Sequence, residues 1–413
     1  MAGPPKTRRD NVAVDNSLCR RCQTNAPTVT VRTEPLCSPC FNKYVSTKII
    51  KRMESFRVRH AEAGHERLLL LPLSLRACSV VLLHILSQHL RVQGEKSGRT
   101  GYRLHVLYVQ DGKGDASVAS DLFEMVQHRY PEHIYSTCPL SDALALPGMQ
   151  ELLAPNQPAP QDTTATPSPP DLSTILTNLT SATSRTDLHH LLLRKLLVHS
   201  AQHHTCSAIL WASSTTRLAE RTLAETAKGR AFALPAQTRD GETPLGTGTP
   251  GTPFYYPMRD LLRKEILSYT SLVSPDLEEL ILEERPRPAV STRDTSIDEL
   301  MKQYFLSVER EYPSIVANVV RTTGKLMVQR VEDGVEGRCG RRVGEMCVER
   351  WVAGFRSTRD RLWITKDFLD PVGSNAAHLT ARLRVYFRRG CAKQTNQLRS
   401  NYHPEPASSL VST

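Results

Sequence analysis

The chain has 413 residues, 39% of them hydrophobic, which is more than one small core can use and implies two or three domains or subdomains. Its 53 Lys and Arg outnumber 42 Asp and Glu, for a net charge of +11, a balance that favours polyanionic partners and nucleic acid first. No apolar run reaches the length of a membrane span, since Pro72 breaks Leu68–Leu75 and His84 interrupts Ser79–Leu86, and the ten cysteines lack the spacing of a secreted disulfide framework.

The start, MAGPPKTRRDNVAVDN, is polar and has no apolar segment, so residues 1–16 are expected to be disordered and to carry no targeting signal. A reducing, cytosolic setting is expected. Residues 17–60 then read as a small basic module. Cys19-x2-Cys22-x14-Cys37-x2-Cys40 has the spacing of a structural zinc site. Each C-x2-C pair supplies two thiolates from one turn, and two such turns complete a tetrahedron. Thr28–Val31 alternates like a strand, a ribbon between the two knuckles. A stretch this polar buries little surface, so Zn2+ would supply folding energy; unliganded or redox cysteines are the alternative. Between Ser17 and His60 nine Lys and Arg face two Glu. Phe41, Tyr44, Lys48, Lys51 and Arg52 fit a helix with a cationic stripe. Together with Arg20, Arg21 and Lys43, these cations are candidates for holding a phosphate backbone. A solvated, solubilising face is the other reading.

Residues 61–270 carry a βαβ rhythm. Leu68–Leu73 is nearly continuous apolar, as a central parallel strand is, and Val80, Leu83, Leu86 and Leu90 recur at helical spacing. Gly101–Val109 reads as a second strand, Asp121–Arg129 as a helix, and His133–Tyr135 as the start of a third strand. The stretch 141–187, rich in Pro, Thr, Ser and Ala, is expected to be a disordered insertion. The pattern resumes with a helix at Leu188–Val198, a strand in CSAILWASS and a helix ending near Gly229. MRDLLRKEILSY reads as an amphipathic helix. The fold class is α/β, a doubly wound and mostly parallel sheet. Residues 271–413 are expected to form a separate helical and irregular region, with Leu300, Tyr304, Phe305 and Val308 at core spacing.

In such a sheet, ligands sit at the carboxyl ends of strands. The first such turn, Ser74-Leu75-Arg76-Ala77-Cys78-Ser79, has no glycine to bring backbone against a phosphate. Cys78 reads as a buried structural thiol, while Ser74, Arg76 and Ser79 remain able to touch an anion. The second, Ala212–Arg217, is rich in hydroxyls that cap the following helix or face a ligand. No catalytic His/Asp/Ser set, Walker A or Rossmann glycine signature is present.

The zinc knuckle, LLLLPLSLRACSVVLLHIL, AILWASSTTRLAERTLAETAKGRAFALP and FYYPMRDLLRKEILSY, in this order, resemble the cytoplasmic tRNA 2-thiolation protein 2 family of fungi. The resemblance covers most of Leu18–Tyr269 and continues more weakly to about Leu362. It implies a fold of PP-loop ATPase type, also called adenine nucleotide alpha-hydrolase-like. Active relatives adenylate a tRNA base with an S-G-G-x-D-S loop, and the matching positions here are Ser74 to Ser79. The two serines remain, but both glycines and the aspartate are replaced.

The resemblance therefore implies a subunit without its own catalysis. It implies a role in 2-thiolation of the wobble uridine, mcm5s2U, in tRNAs for Lys, Glu and Gln. The chain would act as a heterodimer with a catalytic paralogue, thiolation protein 1, which would handle ATP. Sulfur would come from a thiocarboxylated ubiquitin-like carrier. Cys19, Cys22, Cys37 and Cys40 carry over as the knuckle ligands. A further cysteine-rich segment common in the family is represented here only by Cys339 and Cys347, with Cys391 distant. Two alternatives stay open: an autonomous ATP-dependent nucleotidyl-transfer enzyme, and a zinc-bearing protein-interaction adaptor.

Overall fold

The computed structural model describes residues 17–60, 66–112, 115–147, 149, 172–241, 251–282 and 295–326. Residues 1–16, most of the proline-rich stretch, and the region from 327 onward with Cys339, Cys347 and Cys391 lie outside the described residues.

The chain enters through a hairpin of β1 (Val29–Val31) and β2 (Glu34–Leu36), paired antiparallel, and continues into α1 (Ser38–Arg52). Five strands then build the central sheet: β3 (Arg67–Leu73), β4 (Tyr102–Gln110), β5 (Ile134–Pro139), β6 (Ala208–Leu210) and β7 (Phe254–Tyr255). Their order is β5-β4-β3-β6-β7, and every pair is parallel. Leu69, Leu70 and Leu71 are fully buried, because β3 is the middle strand and helices cover both faces. The strand order reverses direction at β3, between β4 and β6, which is the switch point where such sheets offer a crevice. This is the doubly wound α/β fold expected from the sequence.

The sheet is flanked by α2 (Ala77–Ser97), α3 (Ala116–Arg129), the short α4 (Leu172–Asn178), α5 (Ala182–His203), α6 (Thr215–Ala227) and α7 (Leu234–Thr238). Then come α8 (Arg263–Leu272), α9 (Ile297–Glu311) and α10 (Pro313–Thr323). Side-chain oxygens cap α3, α6 and α9 through Asp115, Ser214 and Ser296, satisfying N–H groups that the first turn leaves unpaired.

Three expectations need correction. The stretch 141–187 is not an unbroken unstructured insertion: a 3₁₀ turn spans Leu140–Ala145, α4 is helical, and α5 already begins at Ala182. Its first turns are fixed by burial. Asp187 takes bonds from Lys228 Nζ at 2.8 Å and from two Arg230 nitrogens at 2.8 and 2.9 Å, and Leu188 and Leu192 pack on Leu140 and Leu144. The helix expected over MRDLLRKEILSY starts only at Arg263. Met258, Leu261 and Leu262 are instead buried in the turn before it, and the Leu262 N–H donates to the Glu265 carboxylate at 2.8 Å to begin the helix. Cys78 is half-buried, not buried.

Packing also crosses both boundaries drawn at 60 and 270. One apolar core contains Leu36, Phe41 and Ile49 of the cysteine module, Leu69 and Val81 of the sheet layer, and Leu277 and Leu280 beyond residue 270. At Gly101 an added Cβ would lie 2.3 Å from the Phe56 carbonyl oxygen. Glycine thus lets the segment leaving the module press on the start of β4. Further on, α9 and α10 lie on α6, burying Phe305, Val316 and Val320. No helix among the described residues is long and apolar enough to cross a membrane.

Candidate functional site

The β1–β2 hairpin brings the two cysteine pairs together. The sulfurs of Cys19, Cys22, Cys37 and Cys40 all lie within 4.8 Å of one another, with Cys22 and Cys37 at 3.7 Å. A tetrahedral Zn2+ with Zn–S of about 2.3 Å sets its sulfurs about 3.8 Å apart, so the cluster matches that size. Cys19 and Cys37 are buried, and Cys22 and Cys40 half-buried.

The surroundings favour thiolate at Cys22 and Cys19. The Thr24 hydroxyl and the backbone N–H groups of Asn25 and Thr24 bring Cys22 down to about 5. Burial opposes ionisation of Cys19, but backbone N–H groups of Cys22, Cys37 and Arg21 outweigh it and lower it. Cys40 moves the other way, pushed up to about 12 by burial and by its neighbouring sulfurs. An array in which two thiols ionise readily and a third, Cys40, resists ionisation chiefly through burial is one that a divalent cation completes.

The cations around this cluster divide into two sets. Arg20, Lys43 and Lys51 are exposed. Arg21 and Lys48 lie over the Tyr44 ring, at 5.0 and 5.6 Å from its centroid, and Tyr44 stacks on Phe41 with a 6.4 Å centroid separation. Arg52, by contrast, turns inward to Asp260 and Asp240. Arg32 at the hairpin tip donates to the Asp260 carbonyl at 3.3 Å and stands 3.6 Å from Glu265, to which the Tyr44 hydroxyl donates at 3.4 Å. The module is therefore bolted to the approach and first turn of α8. Asp240, Asp260 and Glu265 carry that attachment, and nothing in their local sequence marks them for it.

Both turns at the carboxyl edge of the sheet are occupied by the chain itself. In the first, Leu75 is fully buried and adopts φ 53°, the left-handed region in which a glycine would be unstrained. Its carbonyl accepts the Leu282 N–H at 2.7 Å, and Arg76 Nη1 donates to the Leu282 carbonyl at 3.3 Å. The Ser79 hydroxyl accepts the Ser74 N–H at 3.2 Å and donates to the Arg76 carbonyl at 3.0 Å, and the Ser74 and Ser79 hydroxyls are 3.1 Å apart. Ala77 and Cys78 open α2 behind them.

In the second turn, Ser214 accepts the Arg217 N–H at 3.2 Å as the cap of α6, and the Thr215 hydroxyl donates to the Arg259 carbonyl at 2.7 Å. Thr216 accepts the Arg263 N–H at 2.9 Å and donates to Glu309 Oε1 at 3.0 Å, and that same oxygen accepts the Lys264 N–H at 3.0 Å. A carboxylate of α9 thus fills the anion-friendly point between the N-termini of α6 and α8.

A family model described as cytoplasmic tRNA 2-thiolation protein 2 matches residues 296–353. A protein of that name from Phaeosphaeria nodorum is 44% identical over 317 residues, covering 76% of this chain and 81% of its own. One from Sclerotinia sclerotiorum is 42% identical, covering 79% and 88%. Among solved structures, the U34-tRNA thiolase NcsA from Methanococcus maripaludis with its [4Fe-4S] cluster is similar with a TM-score of 0.50 over 74% of this chain and 85% of that one. At 15% identity this likeness concerns the fold alone. With identity this high over most of both chains, the protein belongs to the cytoplasmic tRNA 2-thiolation protein 2 family, and its role lies in tRNA 2-thiolation.

Proposed function

We propose that this chain is the non-catalytic, RNA-presenting subunit of the cytoplasmic complex that thiolates the wobble uridine of tRNAs for Lys, Glu and Gln. It works as a heterodimer with a catalytic paralogue, thiolation protein 1. That partner handles ATP and receives sulfur from a thiocarboxylated ubiquitin-like carrier. The observation that carries this reading is the closed first turn. Where an adenylating relative needs bare backbone for phosphate, Leu75 fills the core and the Leu282 backbone covers its carbonyl.

Cys19, Cys22, Cys37 and Cys40 hold Zn2+ as a closed structural shell, which leaves no open position for chemistry. Arg20, Arg21, Lys43, Lys48 and Lys51 meet the tRNA backbone, and Arg52 keeps the module in register with α8. The metal fixes α1, and α1 fixes these cations.

Nucleoside mass spectrometry of tRNA from cells lacking the chain tests the reading. The 2-thio group at the wobble position should disappear and return with the wild-type gene. Purified chain should co-purify with the catalytic paralogue and be inactive without it. Thiolation by the isolated chain with ATP and a sulfur donor would show an autonomous enzyme instead. Normal thiolation after deletion would leave the adaptor reading.

A further inference from the structure

A second cationic feature lies on the side of α8 that faces α9, next to the second sheet-edge turn. A groove of about 220 Å³ runs between these helices, lined by Arg263, Lys264, Leu267, Leu306, Glu309 and Arg310. Residues four apart share a helix face, so α8 pairs Arg263 with Leu267 and α9 pairs Leu306 with Arg310. Leu267 is 43% exposed and Leu306 38%, which makes them the open floor. Glu309 is the one acid among the lining residues, yet it is 4% exposed. Its carboxylate is used inside, by Thr216 and the Lys264 N–H, while the Lys264 ammonium is held at the Glu309 carbonyl at 3.2 Å. The cations front the groove and its acid does not.

We infer that this groove is a second tRNA contact. It takes the phosphate backbone of an unpaired segment on Arg263, Lys264 and Arg310, with Leu267 and Leu306 beneath a ribose or an unstacked base. The inference rests on the reading that this chain presents tRNA. A protein partner fits the groove less well. Two half-exposed leucines supply little of the apolar centre that a stable interface of at least about 1,000 Å² needs. Three lining cations beside a single lining acid that is buried match a polyanion whose affinity comes from counterion release.

The test is fluorescence anisotropy of the full-length, metal-loaded chain with an unmodified lysine tRNA transcript, repeated over a series of salt concentrations. Arg310→Glu should weaken binding about fivefold or more and lower the slope of log affinity against log salt by about one, whereas Arg310→Lys should stay near wild type. Lys96→Glu, at the far end of α2, changes net charge equally and is the control. An equal loss in Lys96→Glu would mean net charge alone and would overturn the assignment. Unchanged affinity in Arg310→Glu, while Lys48→Glu weakens binding, would remove this site and leave the function standing. Wild-type chain that binds no tRNA would remove both. Leu306→Ser that loses the paralogue while keeping tRNA affinity would assign the groove to protein and overturn the RNA contact.

Discussion

Arg52 closes on Asp260 through two bonds, Nε to Oδ2 at 2.7 Å and Nη2 to Oδ1 at 3.0 Å. This fork joins the last turn of α1 to the loop leading into α8, 208 residues away in sequence. Burial opposes charge on Asp260, but the Arg52 bonds prevail and hold its carboxyl below the ordinary range. With side chains 34% and 38% exposed, solvent screening limits the gain. A double-mutant cycle of Arg52→Ala and Asp260→Asn, read by urea unfolding, should give a coupling of about 1 kcal/mol. The lowered folded value fixes the sign with pH. The coupling is fully present above the unfolded value of about 4 and disappears as pH falls through the folded one. Coupling that survives undiminished in strong acid would contradict the ion pair.

The cysteine cluster should carry one metal per chain. Elemental analysis should find zinc, and the visible spectrum should lack iron–sulfur absorption. Chelation, or Cys37→Ser, should loosen residues 17–60 before the sheet, because the sulfurs join the knuckle turns to the start of α1. Hydrogen exchange reads this directly. Protection in that segment that survives metal removal would deny the metal a structural role.

Leu75 combines a left-handed backbone with a fully buried side chain. Leu75→Gly relieves the backbone, by about 1–2 kcal/mol, but empties a core position worth more. The net should be a loss of about 2 kcal/mol in unfolding free energy, with no gain of nucleotide binding, because the Leu282 N–H can still cap the turn. Calorimetric titration with Mg-ATP checks the second part. Tight ATP binding by the variant would mean that one side chain alone keeps the turn shut.

His84 lies buried in α2 with Nδ1 2.8 Å from the Tyr130 hydroxyl. Burial, helped by Arg129, pushes it down to about 4. The unfolded chain takes that proton near pH 6.5 and the folded chain only near 4, so acid favours unfolding across that window. The loss between pH 7 and pH 5 should be about 2 kcal/mol from this group. His105, also brought to about 4 by burial, adds in the same direction. Comparing wild type with His84→Gln at each pH cancels metal loss, which both proteins share. Parallel stability curves would rule out a neutral buried His84.

Which features were legible in the sequence follows from distance along the chain. The metal site was readable because each pair of ligands lies within one turn and the hairpin between them is short. β3 was readable because a strand covered on both faces must be apolar at every position. The start of α5 was not, since Ala182–Asp187 has loop-like composition and is fixed by the bonds of Lys228 and Arg230 to Asp187 and by the packing of Leu188 and Leu192. Nor was the start of α8, where burial of Met258 and Leu261 competes with helix formation.

By itself, the sequence determined the alternation of strands and helices, the four thiolates and the loss of glycine from the first sheet-edge turn. These are properties of single residues and near neighbours. Only the tertiary structure decided that Arg52 faces a carboxylate while Lys48 and Lys51 do not share that fork, that Leu282 and Glu309 close the two edge turns, and that α8 and α9 frame a cationic groove. Like charges in one helix look alike until the fold supplies their partners, and those partners arrive from far along the chain.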